Sequence, residues 1–123
     1  MAQDTLFTKI INREIPADIV YEDELTLAFK DINPQAPYHV LIIPKKAIET
    51  INDIKTEDAS LIGQLYLVAA KLAKQEGFSD SGYRVVMNCN EDGGQTVYHI
   101  HLHMLAGKEM GWPPYTNNKK VLI

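Results

Sequence analysis

The chain contains a single cysteine, Cys89, among its 123 residues. No intrachain disulfide is available, so a reducing compartment suits it, although a bridge to a second chain is still open. Long hydrophobic runs are missing as well. No segment approaches the roughly 20 apolar residues that cross a bilayer, and the opening MAQDTLFTK lacks the apolar centre of a secretory leader. The expected location is cytoplasmic, with no membrane partner. Positive charge is scarce: 12 Lys+Arg against 16 Asp+Glu leave a formal charge of −4. That balance argues against a broad nucleic-acid-binding face, while a pocket for one small nucleotide is still allowed, because its local field can differ from the global sign. There is no GxGxxG, no Walker loop, no CxxC and no HExxH. Repeats and low-complexity tracts are absent too.

Hydrophobic residues at 46% and charged residues at 23% fit an ordinary globular protein. One domain over residues 1–123, with flexible terminal residues, is expected at this length. LFTKIINRE reads as a short N-terminal helix, and DIVYE and LTLAFKD read as strands. DINPQAP, residues 31–37, is a loop by composition. YHVLIIP follows as a strand whose continuous VLII centre suggests burial on both faces.

Residues 57–76 carry the strongest periodicity. Leu61, Ile62, Leu65, Val68, Ala69 and Leu72 recur at helical intervals, with Gln64, Lys71, Lys74 and Gln75 facing water. Thr56 is the expected cap, Glu57 and Asp58 suit the positive end, and Gly77 is the stop. Residues 83–88 predict another strand, and NEDGGQT a polar connection. Several strands, one dominant helix and more strands predict an α+β fold with a mostly antiparallel sheet.

Four histidines are present, and three of them fall on alternate positions of VYHIHLHML. On a strand, His99, His101 and His103 would form a row about 6.6 to 6.8 Å apart on one face, with Tyr98, Ile100, Leu102 and Met104 packed on the other. Three readings compete. A hydrogen-bonded structural ladder needs nothing further. A zinc site would use the imidazoles, with His39 as an additional ligand from another strand, yet the run has no carboxylate inside it. Phosphate chemistry gains from the neighbours: Gly93-Gly94 can turn backbone N–H groups toward an anion, and Asn88, Gln95 and Thr96 offer uncharged polar contacts. Asp92-Gly93-Gly94 taken alone reads as a hairpin connection.

HIHLHML is similar to the signature of the histidine-triad (HIT) superfamily, and the wider chain resembles its Hint branch. The resemblance extends over REIPADIVYEDELTLAFKDINPQAPYHVLIIPKK, YRVVMNCNEDGGQTVYHIHLHML and the tail GWPP. It implies a HIT-like fold and hydrolysis of purine nucleoside 5′-phosphoramidates, chemistry that can proceed without a metal, and no cofactor or metal is expected. By that likeness His101 attacks the α-phosphorus and forms a nucleotidyl-histidine, which water then hydrolyses. His103 contacts the phosphate, while His39 and His99 support the site and assist proton transfer. Asp31 meets the ribose hydroxyls, although an Asp opening DINP could equally bond its own turn. Phe29, Ile32 and Leu41 approach the base. Asn88, Gly94, Gln95 and Thr96 form the phosphate and leaving-group side.

Thr96 and Asn33 stand where close relatives often carry serine; a threonine methyl narrows the hydroxyl's rotamers without removing it. The resemblance also implies a homodimer in which Trp112 of one subunit shapes the site of the other. Dinucleoside polyphosphate hydrolysis and nucleotide binding with little turnover are the alternatives.

Overall fold

The computed structural model describes residues 4–115. The terminal residues expected to be flexible, 1–3 and 116–123, lie outside the described residues. A short helix α1 (Leu6–Ile11) leads into strands β1 (Ile19–Glu22), β2 (Thr26–Lys30) and β3 (Tyr38–Pro44). The long helix α2 (Ala59–Glu76) follows, then β4 (Tyr83–Val86), a four-residue helix α3 (Asn90–Gly93) and β5 (Leu102–Ala106). The five strands form one sheet in the order β1-β2-β3-β5-β4, with every pairing antiparallel. The chain thus has the α+β architecture that the pattern predicts, in the arrangement that the resemblance implies.

Alternation along the strands gives the sheet two distinct faces. Ala28, Val40, Ile42, Leu102 and Met104 turn to one side and bury against Leu65, Val68, Ala69, Leu72 and Ala73 of α2. Those helix residues sit at i, i+3, i+4, i+7 and i+8, the stripe that one face of an α-helix presents. Leu27, Phe29, Leu41 and Ile43 turn to the other side and meet Phe7 and Ile10 of α1. The second face carries the chemistry.

Gly77 ends α2 in the left-handed conformation, φ +85°, with its N–H returning to the carbonyls of Ala73 and Lys74. The entrance differs from expectation. Residues Thr56–Asp58 form a 3-10 turn ahead of the helix, and the cap position is Asp58. The buried Asp58 carboxylate accepts the Lys55 N–H at 2.9 Å and Lys46 Nζ at 2.6 Å. These bonds tighten the chain before the helix starts, so Thr56 has no capping role.

The histidine run is also less regular than its alternation suggests. Strand β5 begins only at Leu102, opposite Ile42. Continued pairing would bring Pro44 into the β3–β5 ladder, where it has no N–H to donate. The Ile100 N–H instead bonds the carbonyl of Ile48 at 2.8 Å. His99 therefore precedes the strand and its ring does not continue the row, and Tyr98 is partly exposed rather than packed in the core.

Candidate active site

Between α1 and the second sheet face lies a cavity of about 430 Å³. Its apolar wall comes from Leu6, Phe7, Ile10, Ile15, Phe29, Leu41 and Val97, with the well-exposed Ile32 at the rim. Its polar end holds Asp31, Thr96, His101 and His103. Register explains the grouping: Phe29 pairs with Leu41 and Leu41 with His103, so three neighbouring strands set these side chains in one transverse line. Phe7 stands edge-on to the His101 ring, centroids 4.9 Å apart at 88°, and to Phe29 at 5.4 Å. It closes the cavity from the helix side.

Backbone groups fix the rings of His39, His99 and His101, and His39 in turn meets His103. His101 Nδ1 lies 2.8 Å from the carbonyl oxygen of His99. A carbonyl can only accept, so Nδ1 carries the proton and Nε2 keeps its lone pair. His99 Nε2 donates likewise to the carbonyl of Pro44 at 2.7 Å. Its ring is 1% exposed and lies behind the cavity rather than in its lining. His103 Nδ1 is 3.0 Å from His39 Nε2, the Gln35 N–H donates to His39 Nδ1 at 3.0 Å, and Asp31 Oδ2 is 3.4 Å from His39 Nε2.

Burial disfavours the imidazolium form of all four rings. His39, His99 and His101 are pushed below the ordinary value near 6.5, with the Asp31 carboxylate opposing this at His39 and His101. His103 is pushed to about 4 by burial, with His101 and His39 adding to it. Neutral imidazoles can act as nucleophiles and as ligands. Among the described residues, Asp31, His39 and His103 each bring one possible ligand atom within 4.8 Å of the others, a set with donors for a divalent cation.

Asp31 has two duties in this geometry. Its Oδ1 accepts the Asn33 N–H at 2.8 Å, the local turn bond, while the residue also lines the cavity. The glycine-rich loop is arranged differently from an open anion cradle. Gly94, at φ +83°, sends its N–H to the carbonyl of Glu91, and the Gln95 N–H goes to Asn90. The Gln95 side chain is buried and accepts the Asn90 N–H while donating to the carbonyls of Glu49 and Val97. It fastens the loop that presents Thr96. Asn88, Gly94, Gln95 and Trp112 do not line the cavity within the chain, and Trp112 is 82% exposed.

Sequence reasoning missed the α1 contribution. Phe7 and Ile10, spaced i, i+3 on a short helix, signal an apolar face, but nothing local indicates that this face closes on His101.

Comparison with known proteins agrees with this geometry. Residues 12–110 match the family model described as the HIT domain. The purine nucleoside phosphoramidase of Escherichia coli strain K12 is 56% identical over 111 residues, covering 90% of this chain and 93% of that protein. A HIT-like protein of Synechococcus elongatus is 54% identical over 114 residues, covering 93% of this chain and 99% of that one. Among solved structures, a HIT family hydrolase from Legionella pneumophila superposes with a TM-score of 0.89 at 56% identity, covering 91% of this chain and 100% of that one. The histidine triad nucleotide-binding protein of Candida albicans gives 0.79 at 31% identity, with 92% and 85% covered. With a family match of this extent and a fold to accompany it, the chain belongs to the histidine-triad (HIT) family.

Proposed function

We propose that this protein is a purine nucleoside phosphoramidase, an enzyme that splits the P–N bond of a nucleoside 5′-phosphoramidate and releases the nucleoside monophosphate and an amine. The observation that carries the reading is the His101 ring in the cavity wall, protonated at Nδ1 by its bond to the His99 carbonyl and holding a lone pair on Nε2. The likeness to the Escherichia coli phosphoramidase supplies the substrate class.

In this reading His101 Nε2 attacks the α-phosphorus, the P–N bond breaks, and the amine leaves with a proton. Water then attacks the same phosphorus, the bond to Nε2 breaks, and the nucleotide is released. Two easier displacements replace one difficult step. His103 stabilises charge developing on the phosphoryl oxygens, and Thr96 offers a hydroxyl beside them. Asn88, Gly94 and Gln95 act through the loop that carries Thr96. His99 holds the nucleophile's tautomer through its carbonyl, and His39 supports His103. Phe29, Ile32 and Leu41 receive the base, and Asp31 the ribose hydroxyls.

The test is turnover of adenosine 5′-phosphoramidate in the presence of a chelator, following AMP. The intact protein is expected to release AMP, and His101→Ala to lose activity by a factor on the order of 10³ or more. Equal release from both proteins would remove His101 from the centre of the mechanism. AMP from neither would turn attention to other leaving groups.

A homodimer completes the proposal. Strand β4 is an edge of the sheet, and Tyr66 and Leu67 on α2 are exposed, features that a second subunit would cover. Trp112, solvated within one chain, would then reach the partner's site. Sedimentation at micromolar concentration should give a mass near twice 13.9 kDa; a monomer throughout would contradict it. Among the described residues no helix is long and apolar enough to cross a membrane. The lone Cys89, free within the chain, supports a reducing cytoplasmic setting.

A further inference from the structure

We infer that the backbone N–H of Gln35 is a positioning group, which sets the tautomer of His39 and through it aims a proton of His103 at the transferring phosphoryl group. The argument is a chain of donors and acceptors. The Gln35 N–H donates to His39 Nδ1 at 3.0 Å, so that nitrogen presents its lone pair. A neutral imidazole then carries its proton on Nε2. That atom lies 3.0 Å from His103 Nδ1 and 3.4 Å from Asp31 Oδ2, both acceptors for it. His103 Nδ1, accepting, must leave the proton of its own ring on Nε2. His103 therefore enters the reaction as a neutral donor, while His101, tied to a carbonyl, enters as a neutral acceptor. Two adjacent rings of the same residue type receive opposite roles from two backbone groups.

The loop is built to hold that amide still. Asp31 Oδ1 accepts the Asn33 N–H, and Gln35 Nε2 donates to the carbonyl of Asn33. Gly107, at φ +95°, comes so close to Pro37 that a Cβ there would sit 3.0 Å from the proline ring. The same tautomer bears on the metal question. A cation bound by Asp31, His39 and His103 would need the Nε2 lone pair of His39, and in this arrangement a proton occupies it. The cluster is a hydrogen-bond relay.

The inference rests on the proposed role of His103, but its first test does not require activity. In protein labelled with ¹⁵N, two-bond ring correlations should show His39 and His103 as Nε2–H tautomers and His101 as Nδ1–H. A scalar coupling should connect the Gln35 amide nitrogen with His39 Nδ1. An Nδ1–H tautomer at His39 in the intact protein overturns the inference, whatever the enzyme does. The expected pattern in a protein without phosphoramidase activity would instead overturn the functional reading alone.

Gln35→Pro removes the N–H and should convert His39 to a mixture of tautomers. The accompanying fall in kcat is expected to be about tenfold, the rate equivalent of one lost hydrogen bond, with KM changed less than about twofold. Gln35→Ala, which keeps the N–H, should retain the tautomer. His39→Gln places an amide donor near the position of Nε2, and in that background Gln35→Pro should cost no further kcat. A fall in activity with the tautomers unchanged, or a full additional loss in the double variant, would reduce Gln35 to a structural part of the loop. Should Gln35→Pro fail to fold, the ring spectra of the intact protein still decide.

Discussion

His101 Nδ1 meets a backbone carbonyl whereas His103 Nδ1 meets His39 Nε2, and that difference decides which nitrogen of each ring keeps its lone pair. Asp31 is the residue where two demands meet, since one carboxylate oxygen holds the 31–33 turn and the other faces His39 near the cavity. Asp31→Ala should weaken binding of a ribonucleotide by about tenfold or more, the range of a hydrogen bond to a charged group. A 2′,3′-dideoxy analogue, which offers no hydroxyl to lose, should weaken less; equal losses measured by calorimetry would assign Asp31 to the turn alone. A histidine cluster was legible in the sequence, because alternation concentrates three rings within five residues, whereas its pairing with phosphate chemistry came from the neighbouring polar residues and the resemblance to the HIT family. The tautomers were not legible. They depend on Pro44, Gln35 and the His99 carbonyl, contacts that no local pattern encodes.

At the level of elements, α2 was readable almost to its ends, since its buried residues recur with the period of the helix and Gly77 stops it. The start of β5 was not, because the ladder's limit is set by a proline 58 residues earlier in the chain than Leu102. Short α1 was visible as a helix, yet its place over the histidines comes from long-range packing against β2 and β3. Leu72→Ala, which deletes a wholly buried side chain between α2 and the sheet, should cost about 2–5 kcal/mol in denaturant unfolding. Two glycine substitutions separate backbone strain from crowding. Gly77→Ala meets no neighbour within 4 Å and should cost only about 1–2 kcal/mol for its left-handed φ. Gly107→Ala adds a collision with Pro37 to the same strain and should cost measurably more. Equal losses would mean that residues 31–37 yield freely.

The molecule as a whole stores neutral histidines, so its stability should depend on pH. A ring whose native pKa lies below its unfolded value near 6.5 binds fewer protons folded than unfolded, and stability is lost as pH falls through that interval. His103 extends the interval to about 4, and His39, His99 and His101 act in the same direction. Asp23 joins at lower pH. Its carboxylate accepts the N–H groups of Leu25 and Thr26, the Tyr21 hydroxyl and Gln64 Nε2, bonds that hold it ionised well below the ordinary 3.8 despite the opposing cost of burial. Urea midpoints should therefore be flat above pH 7 and decline steadily toward pH 4. A midpoint constant across that span would mean that the native rings take up protons over the same pH range as the unfolded chain.

Met104 is wholly buried on the α2 side of the sheet, and its neighbour His103 lines the cavity on the other. A slip of β5 by one residue against β3 would exchange them, driving an imidazole into the oily layer and a thioether toward the nucleotide. The slipped form could not survive as a folded but inactive population. Solubility and catalytic alignment are therefore inspected together as the strand docks, and a chain that passes the first inspection has already passed the second.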